Sequence, residues 1–400
     1  MNARATDFLR IFVFLAVLVT PLAVAALGLE PVGVLAHENR TLAAVPALPL
    51  LVSDPAAYAR GLRAAFADHF PLRETLIRAG NRLRLAVFGE SPVPGVVLGR
   101  DGWLFYSLEH ALDDHIHVMD MSEALQEDMT RILVQRRDRL AARGIAFYVV
   151  VCPDKHTVYP EYLPGYVHPL RPRSRLDILG ERLTAAGVAL IDLRPDMARA
   201  KAVRRAYWKT DTHWNDWGAF VGAKRIVDAL RQRFPAIPPL DEADYAVTEA
   251  VIPGGDLAGM LLLPDIWPET DIRLRPKNPR AKGVLASFGA PRPYADPANH
   301  PDRAMVVAET GDARLPRVLF FRDSFSSAMI PFLAGRFQSA VFVWSHAYSP
   351  DIVAAERPDA VILEVVERYQ YAFCLENPPE PSAAGSPLGM PSPSATPDSP

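Results

Sequence analysis

The stretch IAFYVVV (Ile145–Val151) contains no charged residue and no polar position at helical spacing. A strand wet on one side alternates polar and apolar residues. A continuous apolar run of this length fits a strand covered on both faces, as in a parallel sheet flanked by helices. Upstream, Ser122 followed by Gln126 and apolar residues at helical spacing predicts a helix to about Ala142, closed by Gly144. Downstream, a second helix is predicted from about Arg175 to Ala186, closed by Gly187 and followed by the apolar run VALIDL (Val188–Leu193). The unit recurs in VLFF (Val318–Phe321), AVFVW (Ala340–Trp344) and AVILEVV (Ala360–Val366), with a helical segment over Asp216–Phe234. Buried strands alternating with helices imply an α/β fold on a doubly wound, largely parallel sheet.

The ends of the chain differ from its middle. After Arg4 and Arg10 comes an uncharged run, about Ile11 to Leu29, whose length at helical rise approaches the thickness of a hydrocarbon core. The basic flank precedes it, so the positive-inside rule places everything after Leu29 outside the cytoplasm. Residues 1–30 thus read as a cytoplasmic N-terminus and a retained, single-pass transmembrane helix, with removal after Ala25 as a signal peptide the alternative. Residues 31–95 read as a Pro-rich linker and a helical entry segment, and VVLGRDGWLFY (Val96–Tyr106) reads as a hairpin turning at Asp101-Gly102. The α/β unit is assigned to 96–375. Within it, Asp241–Asp312 is rich in Pro, Gly and charge and reads as an insertion on the ligand side of the sheet. The Pro/Ser-rich tail, 376–400, reads as disordered.

The 43 basic and 46 acidic residues are interspersed and sum to a formal charge of −3, which leaves no basic face for a phosphate backbone and argues against nucleic acid as a partner. The two cysteines, Cys152 and Cys374, lack the spacing of a zinc or redox motif. They read as buried thiols or as one long-range disulfide.

A serine becomes a nucleophile when a base takes its proton and a third group orients that base. Ser324 follows the VLFF run directly and precedes what reads as a helix start, the edge where open α/β sheets place their sites and where free N–H groups can hold an oxyanion. A helix cap is the structural alternative for this serine. In TDTHWN (Thr210–Asn215), Asp211 and His213 flank one residue, so both side chains can project to the same side: a base with its orienter. Asp-x-His also suits a divalent ion, with Asp113, Asp114, His115 and His117 as the dense source of further ligands. Lys155 and His156 follow the Ile145–Val151 strand and are candidates for substrate contact. Trp103, Trp214 and Trp217 are candidates for sugar stacking or for core packing.

Six segments occur in a telling order: DGWLFY (Asp101–Tyr106), CPDKHTVYPEYLP (Cys152–Pro164), TDTHWN, GGDLAGMLLLP (Gly254–Pro264), FRDSF (Phe321–Phe325) and VVERY (Val365–Tyr369). As a set they resemble the alginate O-acetyltransferase family (AlgJ/AlgX-like), whose fold is SGNH hydrolase-like. The resemblance implies Ser324 as nucleophile, His213 as general base and Asp211 as its orienter, with neither cofactor nor metal. Arg322 departs from the pattern, standing two residues before Ser324 where GDS-type motifs carry glycine, and joins Lys155, His156 and Trp214 as a candidate substrate contact. The Ser324 amide is one candidate oxyanion donor and the Gly254-Gly255 turn another. The activity implied is transfer of acetyl groups to an exopolysaccharide in the periplasm, with an integral-membrane acyltransferase of the inner membrane as donor. A carbohydrate acetylesterase with the same triad, and a non-catalytic organiser of an export complex, are the competing readings.

Overall fold

A computed structural model describes residues 3–27, 43–119, 122–277, 287–288 and 305–375 of the chain. The hairpin forms as predicted, with β1 (Val96–Leu98) antiparallel to β2 (Leu104–Tyr106). Asp101 and Gly102 take positive φ of 54° and 79° in its turn, the conformation their residue types accept most readily.

The central sheet has seven strands in the order β4 (Ala189–Asp192), β3 (Ala146–Cys152), β11 (Ala360–Val366), β9 (Arg317–Arg322), β10 (Ser339–Trp344), β8 (Val306–Glu309) and β7 (Ser287–Phe288). The first five run parallel, and all five arise from the apolar runs read in the sequence. The last two are antiparallel, so the sheet is mixed rather than wholly parallel. The short antiparallel edge was not predicted: β8 is four residues long and β7 two, and both lie in the segment read as an insertion.

Alternation along the strands divides the core between two faces. Val150 and Cys152 of β3 and Val318 and Phe320 of β9 point to one side, where Trp217, Phe220 and Ile226 of the helix Asp216–Arg231 and Met329 of the helix Phe325–Leu333 cover them. Val149, Val151, Leu319 and Phe321 point to the other, against Met129 and Leu133 of the helix Glu123–Ala141 and Leu176, Leu179 and Leu183 of the helix Arg175–Ala185. Each fully buried side chain of this kind contributes about 1.5–3 kcal/mol. The helices start where the sequence offers caps. Ser122 accepts the Leu125 amide, Ser174 and Asp177 form a reciprocal capping box, and Asn215 accepts the Trp217 and Gly218 amides.

The insertion has more order than its composition announced. β5 (Tyr245–Ile252) and β6 (Glu269–Pro276) pair antiparallel along their whole length, and between them Gly254-Gly255 leads into the short helix Asp256–Met260. Four of the eight β5 residues, Thr248 to Val251, are exposed, and its apolar residues follow no alternation that would signal a strand.

Ala3–Ala26 is helical through Pro21. Among the described residues no helix is long and apolar enough to cross a membrane, so the expected span Ile11–Leu29 is not established as a transmembrane helix; its last two residues lie outside the described ones. The entry segment forms helices Pro49–Ser53, Pro55–Asp68 and Arg73–Phe88. The tail 376–400 and the Cys374 side chain lie outside what is described.

Candidate active site

β9 ends at Arg322, and the chain turns through Asp323 and Ser324 into the helix Phe325–Leu333. Ser324 occupies the cap position without using its side chain as a cap. Asp323 takes over that task. One of its oxygens accepts the Phe325 amide (2.8 Å) and the other the Val366 amide (2.7 Å), tying the start of the helix to the end of the neighbouring β11. The Ser324 hydroxyl is therefore not spent on capping, and it lies 2.9 Å from His213 Nε2.

His213 reaches Ser324 from a loop 111 residues away in sequence. Asp211 Oδ1 accepts both the His213 backbone amide and its Nδ1, each at 2.9 Å, and Asp211 Oδ2 accepts the Asp256 amide at 3.0 Å. The hydrogen bond to Asp211 fixes the tautomer with the proton on Nδ1, leaving the Nε2 lone pair facing the serine. Burial disfavours the imidazolium, but the hydrogen bond and charge of Asp211, with the charge of Asp256 behind it, outweigh burial and raise the His213 pKa above its ordinary value. The same bond holds Asp211 below the usual carboxylate range although burial pushes it upward.

The loop that carries this pair is pinned from below. Lys155, nearly fully buried, donates from Nζ to the carbonyls of Trp208 (3.3 Å), Lys209 (3.1 Å) and Asp211 (2.6 Å). Its ammonium also faces the rings of Trp103 and Phe105 at 5.8 and 5.3 Å. Burial lowers the Lys155 pKa to about 8. Glu269, on β6, accepts the amide and hydroxyl of Thr210, both at 3.0 Å, and is paired with Arg205 at 2.8 Å. Lys155 is thus a clamp on the TDTHWN loop and not a substrate contact. Lys155→Met, which fills the space without donors, is expected to cost about 3 kcal/mol in denaturant unfolding, since three buried carbonyls lose a charged donor. Lys155→Met as stable as the wild type would contradict the clamp.

Several other expectations need correcting. His156 is 1% exposed and its ring packs between Phe105 and His115, away from solvent. Trp214 is fully buried, donates from Nε1 to the Phe325 carbonyl at 3.1 Å and packs edge-on against the Phe325 ring, so it braces the helix Phe325–Leu333 and offers no face to a sugar. Trp103 stacks on Tyr162, and Trp217 is in the core. Arg322 is buried, lies 4.2 Å over the Trp344 ring and donates to the Ser327 hydroxyl and the Asp323 carbonyl, which braces the turn where glycine would leave a gap.

The Gly254 amide donates to the Pro264 carbonyl (2.7 Å) and the Gly255 amide to the Thr210 hydroxyl (3.0 Å), so neither is available as an oxyanion donor. Their role is steric. A Cβ on Gly255 would stand 2.5 Å from Asp211 Cβ and 2.6 Å from Asp211 Oδ2.

Asp113, Asp114, His115 and His117 do not join the Asp-x-His pair: Asp114 is bonded to Arg175 (2.6 Å) and His117 to the Arg171 carbonyl. Among the described residues, the three groups whose donor atoms do converge, within 4.8 Å, are Asp211, His213 and Asp256. Those atoms are already bonded to one another, to Ser324 and to Thr212.

Asp256 and Thr212 were not singled out from the sequence, although both lie inside quoted motifs. Asp256 accepts the Thr212 amide (2.7 Å) and its hydroxyl, and its Oδ2 lies 3.7 Å from His213 Nδ1. Beneath the nucleophile turn, fully buried Glu364 of β11 accepts the Asp323 amide (3.1 Å), the Ser326 hydroxyl (2.6 Å) and the Cys152 thiol (3.0 Å). Burial, reinforced by the charge of Asp323, raises the Glu364 pKa to about 8. Burial, then the neighbouring Glu364, pushes the free Cys152 thiol well above its ordinary value. One acid inside a run as apolar as AVILEVV was the available signal for Glu364.

Comparison with known proteins found chains similar to this one in sequence and in fold. Residues 96–287 match the family model described as "SGNH hydrolase-like domain, acetyltransferase AlgX". The probable alginate O-acetylase AlgJ of Pseudomonas aeruginosa is 29% identical over 213 residues, 53% of this chain and 52% of the relative. That of Pseudomonas putida is 32% identical over 168 residues, 41% of each. The chain spans about half the length of the curated relatives it matches. Among solved structures, Bacillus cereus PatB1 shares the fold with a TM-score of 0.52 at 18% identity, covering 70% of this chain and 98% of that one. Over about half of its length the chain is thus similar in sequence to the AlgJ/AlgX-like group, and it shares its α/β architecture with a solved structure.

Proposed function

We propose that the protein is a polysaccharide O-acetyltransferase working through an acetyl-Ser324 intermediate. The observation that carries this reading is the unbroken line Asp211–His213–Ser324, with two 2.9 Å contacts on the opposite nitrogens of one imidazole. The names of the AlgJ relatives and of the matching family model support acetyl transfer as the activity class. Ser324 Oγ attacks the donor's acetyl carbonyl while His213 Nε2 takes the serine proton. The donor's acyl bond breaks, and its leaving atom receives that proton. An acceptor hydroxyl then attacks the acetyl-serine carbonyl and gives its proton to His213, and the serine departs protonated. The Ser324 amide, at the positive end of the helix Phe325–Leu333, is the proposed oxyanion donor.

The donor group is proposed to come from an integral-membrane acyltransferase, and the N-terminal apolar segment to hold the body at the outer side of the inner membrane. Transfer is favoured over hydrolysis by those same names, and in both cases the acetyl group passes through Ser324.

The test is to incubate the full-length protein with an activated acetyl ester, with and without oligosaccharide. Acetyl mass on Ser324, discharged to sugar when acceptor is present, is the expected outcome; acetate alone would leave an esterase, and no acetyl-Ser324 would overturn the mechanism. Acetylation of Ser324 should rise with pH through a midpoint above about 6.5, because only neutral His213 accepts the proton and its carboxylate partners favour the charged form. Asp256→Asn should move that midpoint down, since it removes the negative charge 3.7 Å from Nδ1.

A further inference from the structure

Beside the proton relay lies a run of rings that the relay does not use. It is formed by the segment after β2, Tyr106 to His110, and the segment after β11, Glu367 to Tyr371. Arg368 joins both to the nucleophile. Its guanidinium stands 6.0 Å from the centre of the Phe325 ring, 5.5 Å from that of Tyr106 and 5.0 Å from that of Tyr369, and the Phe325 ring is 5.1 Å from the His213 imidazole. From Tyr369 the run continues to Tyr371 (6.0 Å) and on to His110 (6.3 Å), both in edge-to-face geometry. Tyr106, Tyr369 and Tyr371 are half-buried and His110 is exposed, so ring surface reaches solvent next to the site.

The backbone here is held in an unfavourable shape. Glu109 and His110 are consecutive non-glycine residues with φ of 54° and 62°, at a cost of about 1–2 kcal/mol each. The Glu109 carboxylate lies 3.5 Å from Arg368 Nε and against the hydroxyls of Tyr106 and Tyr369. With burial the larger cause and Glu109 the next, the Tyr106 pKa is pushed up to about 12.

The charges tell what the rings would accept. Arg368 is countered by Asp154 (2.5 Å) as well as by Glu109, and His110 faces Asp113 (3.4 Å). Asp256, part-exposed, adds a further negative charge that Tyr106 feels. A chain with a carboxylate on every sugar would meet the charge of Asp256 and find the bordering guanidinium already paired with Asp154 and Glu109. A neutral pyranose chain would lay its C–H faces on the rings and give hydroxyl protons to the Glu109 and Asp256 carboxylates. We propose that this run of rings is the acceptor subsite and that it takes a neutral, hydroxyl-rich pyranose chain rather than a polyuronate. The proposal rests on the acetyl-transfer reading, and the word alginate in the names of the relatives belongs to those proteins.

The test separates the two claims by measuring binding without turnover. Full-length Ser324→Ala protein is titrated calorimetrically, at low salt, with a β-1,4-linked glucose oligomer and with an oligomannuronate of equal length. The neutral oligomer is expected to bind at least about tenfold more tightly, and Tyr371→Ala or Tyr369→Ala in the same background to weaken it by about tenfold or more. Tyr369→Phe and Tyr371→Phe, which keep the rings, should retain most of the affinity and serve where an alanine variant unfolds. Equal or tighter binding of the uronate, or unchanged affinity on loss of the tyrosine rings, would overturn the assignment. Failure of wild-type Ser324 to accept acetyl would fell the transfer reading alone, because the titration does not depend on it.

Discussion

Ser324→Ala, His213→Ala and the double variant are each expected to lower acetyl-ester turnover by roughly the same 10⁴–10⁶-fold, because in the proposed mechanism Ser324, His213 and Asp211 act as one unit and removing a second member of a broken unit costs little. The folds should survive. The Ser324 side chain caps nothing, and the turn around it is held by Asp323, Arg322 and Glu364 instead. Asp211→Asn should be nearly as damaging for a reason specific to this site. Both Asp211 oxygens accept from N–H groups, two of His213 and one of Asp256, so a carboxamide must turn its NH₂ against a donor whichever way it sits. The imidazole then loses its orienter or flips its tautomer. A serine-directed sulfonyl fluoride gives the second reading of the same unit: it should label Ser324 in the wild type and far less in His213→Ala. Independent, additive losses from Asp211→Asn and His213→Ala, or equal labelling of both proteins, would show that these residues are neighbours without being a relay.

The second large effect comes from a residue with no functional group. Gly255→Ala places a methyl 2.5 Å from Asp211 Cβ and 2.6 Å from Oδ2, distances that packed carbons do not adopt. The neighbours cannot yield easily: Asp211 is held through its own carbonyl by Lys155, and Gly255 through its amide by Thr210. The carboxylate has to swing off the imidazole, and a displacement on the order of 1 Å is enough to cost about 10²-fold in kcat/KM. Gly254→Ala supplies the control. Its methyl would meet Ala258 Cβ and the Trp267 carbonyl, both at 2.6 Å, and not Asp211, so it should lower the melting temperature more than it lowers turnover per folded molecule. Full activity in Gly255→Ala would mean that Asp211 does not orient His213.

Where sequence was a good guide, the reason is local. The five parallel strands carry nearly unbroken apolar runs, and β3, β9, β10 and β11 are largely buried on both faces, so they stand out without any knowledge of their neighbours. Ser122, Ser174 and Asn215 announce helix starts through bonds to residues two or three positions on. The convergence of Asp211, His213 and Ser324 was legible because Asp211 and His213 are two residues apart and Ser324 follows a buried strand. The misassignments concern residues whose partners are remote. Lys155 looked like a loop cation facing substrate, whereas its three acceptors lie more than fifty residues downstream. Gly254 and Gly255 looked like amide donors, and only the fold shows those amides already spent. β5 pairs with β6 at half-exposed positions, where alternation is too shallow to distinguish a strand from a loop.

The thiol under the nucleophile turn bears on how the protein fares in an oxidising compartment. Disulfide exchange and alkylation both proceed through the thiolate, and Cys152 combines complete burial with a proton held against Glu364, so almost none of it is ionised near neutral pH. While the central sheet is intact, Cys152 is chemically silent toward oxidants and partner thiols alike. An adduct at this position marks a molecule in which β3 and β11 have already come apart, which makes the cysteine a built-in record of whether a given chain has ever opened.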